Sequence, residues 1–444
     1  MNRLKLVGRL FFFIWITFLP AIGFAQITSG ADEVVPTAYS SGNQDFIHVF
    51  CGAKGEKNAS LTANTLNGES GSFEWLKYNA ASNSFVFLSS DLSGSSTSVI
   101  SNLEDGCYRV KVTAASGEKT YTAWVFNNYI EATAEIPELD CYSFTLKGTF
   151  DTPKLIYTDL LTGQSLEMNK GIQVRWLNGE AVVSRVVTSE VFDPPTKDTD
   201  FTFEVTDKFG CVVETDVQYL SIVTKASFEF SLPDKKSDRN LNEAPLTVTF
   251  TNTSENGDAG KYEWFIFKDL DEIKRESEAN NGVVKDSILV VLYDDNPAYT
   301  FEETGSYMVK LVSKHLSEFT TCTDTFYMSD YIVIDESFID APNVFTPGNE
   351  DGQNLNETFA VKFFSMKTVK ITIFNRWGKI LHVYENNNVQ GFYNTASSVP
   401  ESVWDGKVGG RLATPGVYYY VAEGMGRDGK KRSANGFFHL FRGK

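Results

Sequence analysis

Five cysteines, Cys51, Cys107, Cys141, Cys211 and Cys322, are the residues of this 444-residue chain best suited to covalent chemistry. In an oxidising compartment that chemistry is disulfide formation, and five thiols cannot all pair within one chain. Their positions among the strand-like runs predict Cys51 with Cys107 and Cys141 with Cys211, leaving Cys322 unpaired. A Cys141–Cys211 bridge would close a loop of about 70 residues and contribute roughly 4 kcal/mol in the chain-entropy view. Two buried, unbridged thiols are the alternative. The four histidines, His48, His315, His382 and His439, fall in different stretches. No HExxH, CxxC, Gly-x-Ser-x-Gly elbow or Walker-type loop occurs. Nothing in the sequence sets two carboxylates across a cleft. No catalytic residue, metal centre or cofactor is predicted, and the chain is expected not to be an enzyme. The run GNEDGQNLNE offers Glu350, Asp351, Asn354, Asn356 and Glu357, oxygen donors of the type Ca²⁺ prefers, but without EF-hand spacing. It reads as a solvated polar loop, with calcium binding at 348–357 as the alternative.

Charge narrows the partners. The formal net charge is -17. Residues 341–444 hold 13 Lys and Arg against 8 Asp and Glu, so the tail is basic and residues 26–340 carry about -25. So acidic a body argues against nucleic acid or anionic lipid as its main partner, since phosphate binding needs clustered Lys and Arg. The asymmetry predicts that the tail meets a different partner from the body.

Arg3, Lys5 and Arg9 precede the apolar run LFFFIWITFLPAIGFA. A basic segment, an apolar core and small residues near Gly23 and Ala25 predict a signal peptide over 1–25, cleaved after Ala25. A retained N-terminal anchor is the alternative. The run is short for a bilayer span and Pro20 interrupts it. No Cys follows it to take a lipid, and no transmembrane segment is expected after cleavage.

The elements that must carry all this are strands. Alternating runs such as YRVKVTA (108–114), FTFEVTD (201–207), LTVTFTN (246–252) and YMVKLVS (307–313) recur between Gly, Asn, Asp, Ser and Pro clusters. They predict an all-β chain of tandem sandwiches. The first module is placed at 27–128, with Trp75 in an early strand and Tyr108 bonding back across a corner. The second is placed at 131–224, with Trp176 central. Both resemble immunoglobulin-like sandwiches. The third, 226–336, resembles the PKD (polycystic-kidney-disease-like) family through Asn252, Ser254, Trp264, Tyr299, Phe301, Gly305 and Tyr307. The Gly-Asp-Gly expected there after the Trp strand is replaced by KDLDE.

The last module, 341–444, carries the most specific phrases: NVFTP, VKITIFNRWGKILHVY, WDGKVGG, TPGVYYYVA and GFFHLFRGK. In order and spacing they resemble the gliding-motility-associated C-terminal domain of Bacteroidetes, also described as a type B sorting domain of the type IX secretion system. Its usual tight Pro-Asn-Gly-Asp-Gly loop is longer here, with Glu357 near the final acidic slot. The resemblance implies a β-sandwich that directs export, with the type IX machinery as partner. Its candidate recognition residues are Asn375, Arg376, Trp377, Gly378, Trp404, Asp405, Gly406, Gly416, Tyr418, Tyr420 and Arg442.

Turn chemistry separates two roles in Asn375–Gly378. Asn375 and Gly378 satisfy the turn through left-handed backbone. Trp377 is surplus to it and is expected to fold back as a lid over the core edge, with Arg376 stacked on an aromatic of the YYY strand. A recognition handle for the export machinery is the alternative. Trp404 reads as core, Tyr418 and Tyr420 as packed beneath a neighbouring strand, and GFFHLFRGK as a closing strand exposed for pairing with another chain. Together these readings predict a secreted or cell-surface, adhesin-like binding protein exported by the type IX system, gripping a surface glycan or protein. Alternatives are an envelope-resident component of the gliding or secretion apparatus, or a polysaccharide-binding accessory protein.

Overall fold

A computed structural model describes residues 27–442, apart from Asn43, 234–240, Phe319, 349–355 and 391–400. The expected leader, 1–25, lies outside the described residues, as does most of the loop considered for calcium. At that loop's ends, Gly348 N donates to Glu357 Oε2 at 2.5 Å and Thr346 N to Asn356 O at 2.8 Å. The described chain is strands joined by turns, with one α-helix, Leu270–Ala279. No described helix is long and apolar enough to cross a membrane. The chain divides into two compact units, the second built from Asp140–Ser143, Phe192–Asp198 and Leu220–Lys444.

The first unit opens with a sandwich. One sheet pairs Ile27–Thr28, Ala59–Asn64 and Thr97–Leu103; the other runs through six strands, with Gly71–Asn79, Gly106–Ala114 and Gly117–Asn128 adjacent in its middle. Period-2 alternation puts Phe73 and Trp75 on one face, where they meet Leu61, Tyr108 and Val110. The Tyr108 hydroxyl donates to Glu104 O at 2.8 Å, the expected corner. A second sandwich has Trp176 and Phe203 at its centre, both fully buried, with ring centroids 4.8 Å apart. A further apolar cluster, Ile47, Val49, Trp124 and Phe126 with Leu155, Tyr157 and Phe209, joins the two sandwiches.

The second unit holds two more. In the first, Trp264, Phe250 and Val248 lie at zero exposure between a three-stranded sheet and the four-stranded sheet Ile288–Leu292, Glu263–Phe267, Val309–Leu316, Thr321–Tyr327. KDLDE, which stands in place of the Gly-Asp-Gly turn, leads into the helix. Asp269 caps it by accepting from Glu272 N, and Asp271 and Glu272 sit in the first turn, where carboxylates favour the helix dipole.

In the last sandwich the five-stranded sheet runs Val344–Phe345, Lys431–Leu440, Gly416–Gly426, Met366–Phe374, Ile380–Asn386. Val369, Ile371 and Ile373 share its buried face, as their alternation predicts. The strand expected to end the sheet with a free edge is covered at its C-terminal end. Val344 and Phe345 pair in parallel with His439 and Leu440. Ser365 ties the unit's two sandwiches together. Its N–H donates to Glu243 Oε1, its Oγ accepts from Ala244 N and donates to Asp335 O, each at 3.1 Å, and its carbonyl takes Arg427 N at 2.8 Å.

The disulfide pairing differs from the expectation. Cys51 bonds Cys211, and Cys141 bonds Cys322; Cys107 is the free, buried thiol. Cys107 sits beside Tyr108 on one strand, so the two point to opposite faces, and Cys107 packs with Ile47, Val49 and Trp124. Cys51 instead ends its strand within 5.4 Å (Cα–Cα) of Cys211 in the second sandwich. Loop length alone does not say which strand ends meet.

Candidate functional site in the C-terminal sandwich

Asn375 organises the hairpin tip between Met366–Phe374 and Ile380–Asn386. Its side-chain oxygen accepts from Trp377 N at 2.9 Å and Lys379 N at 3.0 Å, while its own N–H donates to Lys379 O. Asn375 therefore holds the tip through its carboxamide, not through left-handed backbone. Gly378 alone supplies the positive φ, +77°. Trp377 does not fold back as a lid. It is 78% exposed, because the Asx turn fixes its backbone beyond the end of the sheet. Arg376 lies over the Trp377 ring itself, 4.7 Å from its centroid, and not against the YYY strand. The stacked guanidinium shields one face of the exposed indole and leaves the rest of it open to a partner.

Trp404 has the core role expected of it. It is 2% exposed, its Nε1 donates to Lys407 O at 2.8 Å, and it packs against Phe345, Tyr418 and Phe438. Asp405 accepts from Lys407 N at 3.0 Å. Gly406 turns at φ +72°, where a Cβ would come within 3.0 Å of Pro347. Arg442 reaches back to Gly406 O at 3.3 Å. Trp404, Gly406 and Arg442 brace the module from within, while the Asp405 carboxylate stays in water beside Lys407.

The YYY strand splits by parity. Tyr418 faces inward and its hydroxyl donates to Thr414 O at 2.6 Å. Tyr420 packs against the same core, and burial, aided by Asp340, raises its pKa. Gly416, at φ +154°, opens this strand as Gly106 and Gly305, both at +152°, open theirs. Tyr108, Tyr307 and Tyr418 follow two residues later, and each hydroxyl bonds the carbonyl four residues back.

The outward face was missed from sequence. Val417, Tyr419 and Val421 are each more than a third exposed, and so are Phe437 on the last strand, Phe441 just after it, and Ile380 and Val383 on the far hairpin. Register sets Phe437 beside Tyr419, Tyr419 beside Phe374 and Phe374 beside Ile380, an apolar row across four strands. The signal was present: an unbroken apolar run, VYYYV, implies that both faces of the strand are apolar.

The fold and this site define a multi-module all-β protein ending in a compact, aromatic-cored sandwich with an apolar outer face. The chain carries a CHU_C type IX secretion signal domain, matched over residues 339–440. No curated protein gives a significant match to the chain. Among solved structures, a tetra-tandem repeat from the extending region of a large adhesion protein is similar at 13% identity, covering 87% of this chain and 96% of that one, with a TM-score of 0.28. An I-band fragment of titin, I67–I69, gives 10% identity over 68% and 97%, TM-score 0.28. A Ca²⁺-stabilized adhesin that helps an Antarctic bacterium bind ice gives 14% over 93% and 100%, TM-score 0.20. Likenesses this loose do not bear on function.

Proposed function

We propose that this protein is exported through the type IX secretion system and works at the cell surface or outside the cell as a non-enzymatic, adhesin-like binding protein. The observation that carries the export reading is the signal-domain match over 339–440. The exposed Arg376–Trp377 tip and the apolar row beside it supply what a receptor in the export machinery would grip: aromatic area with a stacked cation, on a rigid hairpin. The acidic, multi-sandwich body supports a spacer and binding role, for a glycan or protein ligand.

The test is the full-length protein with Arg376→Ala and Trp377→Ala together, in a type IX-competent host. Both side chains are exposed, so the fold survives the change. Surface protease accessibility is expected to fall at least tenfold, with intact protein accumulating in the periplasm. Unchanged surface exposure would remove the tip from the recognition site.

A further inference from the structure

Lys170, Asn128 and Asp207 form a buried file in the first unit, at 7%, 1% and 8% exposure. Lys170 Nζ lies 2.5 Å from Asn128 Oδ1. Asn128 Nδ2 in turn donates to Asp207 Oδ2 at 2.6 Å and contacts Cys211 Sγ at 3.0 Å. The backbone fixes all three. Asn128 ends Gly117–Asn128, paired with Cys51. Asp207 Oδ1 accepts from Phe209 N and Cys211 N, and Lys208 N donates to Lys170 O. The Cys51–Cys211 disulfide clamps the same corner.

This arrangement is poor for an ammonium and good for an amine. Among the described residues, the hydrogen-bond acceptors of Lys170 Nζ are Asn128 Oδ1 and the Thr152 hydroxyl, both neutral. Burying a charge without a paired counter-charge is unfavourable, so the amine tends to the neutral form. Burial pushes Lys170 down to about 8, against the opposing fields of Asp207, Asp105 and Asp151. The neutral amine, the minor form at pH 7 and the major one above about pH 8, is a nucleophile, and it is held against a carboxamide whose nitrogen already bonds a carboxylate.

We propose that Lys170 and Asn128 become joined by an intramolecular amide bond, with Asp207 carrying the proton. The Nζ lone pair attacks Asn128 Cγ and a C–N bond forms. Asp207 takes a proton from the attacking nitrogen and delivers it to Nδ2. The Cγ–Nδ2 bond breaks and ammonia leaves. Asp207 ends as it began, and no oxidant or reductant takes part. The product links the last strand of the first sandwich to the second sandwich, removes a buried charge, and survives reductants that would open Cys51–Cys211.

Peptide mapping of the reduced, full-length mature protein tests this. A branched peptide containing Asn128 and Lys170, lighter by one ammonia than its two components, is expected, with trypsin failing to cut at Lys170. Localisation matters, because an N-terminal Gln26 would also shed ammonia on cyclising. Linear peptides carrying unmodified Asn128 and Lys170, after prolonged incubation of the folded protein at pH 9, would overturn the proposal. The wild-type chain decides this whether or not variants fold. Asp207→Asn is expected to slow formation at least a hundredfold; a folded Asp207→Asn protein linking at the wild-type rate would overturn the role given to Asp207.

Discussion

Arg427 Nη1 donates to Glu302 Oε2 at 2.7 Å and to Glu302 O at 3.0 Å, joining the C-terminal sandwich to the one before it. The Arg427 side chain is 5% exposed, and its Nη2 also donates to Val389 O. Glu302 remains largely in water, so the ion pair itself contributes little, and the charge-assisted bonds to two carbonyls contribute more. Arg427→Met is therefore expected to destabilise the second unit by about 2 kcal/mol, read from urea unfolding followed by Trp264 and Trp404 fluorescence. An unchanged midpoint would show that the junction adds no stability.

The repeated tyrosine corner makes a comparative prediction. Tyr418→Phe keeps the ring contacts with Trp404 and Phe438 but loses the bond to Thr414 O. A loss of about 1 kcal/mol is expected, and similar losses for Tyr108→Phe and Tyr307→Phe, since all three make the same bond. The second sandwich has Phe201 as a buried aromatic on its corresponding strand, without a hydroxyl, and Phe201→Tyr should bring no comparable gain.

His48 sets a pH dependence. It is 3% exposed, its Nδ1 bonds Ser29 Oγ at 2.7 Å, and burial lowers its pKa from 6.5 to about 4. A depressed histidine pKa means that the unfolded chain takes up the proton first. Its contribution is present above about pH 6.5, is lost as pH falls toward 4, and is constant below that. The full loss is on the order of 3 kcal/mol. Thermal melts of wild type and His48→Asn at pH 7 and pH 4 should show a smaller drop for the variant. Equal drops would contradict this role.

The disulfides predict a specific digest. Non-reduced peptides should contain Cys51 with Cys211 and Cys141 with Cys322, with Cys107 alkylated only after unfolding. Each bridge spans far more chain than the pairs expected from sequence, 160 and 181 residues, so reduction should cost roughly 5 kcal/mol per bridge in the chain-entropy view. A Cys51–Cys107 peptide would contradict the pairing.

Much of the fold could be read from local patterns. Trp75, Trp176, Trp264 and Trp404 are each buried in a sandwich core, as one large apolar side chain per module suggests. Tyr108 makes its corner because Gly-x-Tyr fixes both backbone and hydroxyl locally. What failed depends on which surfaces meet in space. Cys51 and Cys107 looked like one module's pair, yet parity turns Cys107 away. Trp377 looked too large to leave in water, but the Asn375 carboxamide, a local feature, holds it outside. The Arg427 and Ser365 junction joins residues more than a hundred positions apart, with no periodicity to betray it. Lys170, Asn128 and Asp207 are ordinary residues in sequence and become notable only through burial.

Localisation of the full-length protein in two otherwise identical hosts, with and without a working type IX secretion system, tests the central claim most directly. Labelling intact cells with a membrane-impermeant reagent should mark the protein in the competent host. In the deficient host the label should be missing and the protein should be recovered from the periplasm. Equal surface labelling in both hosts would contradict the claim that the C-terminal sandwich is the export address.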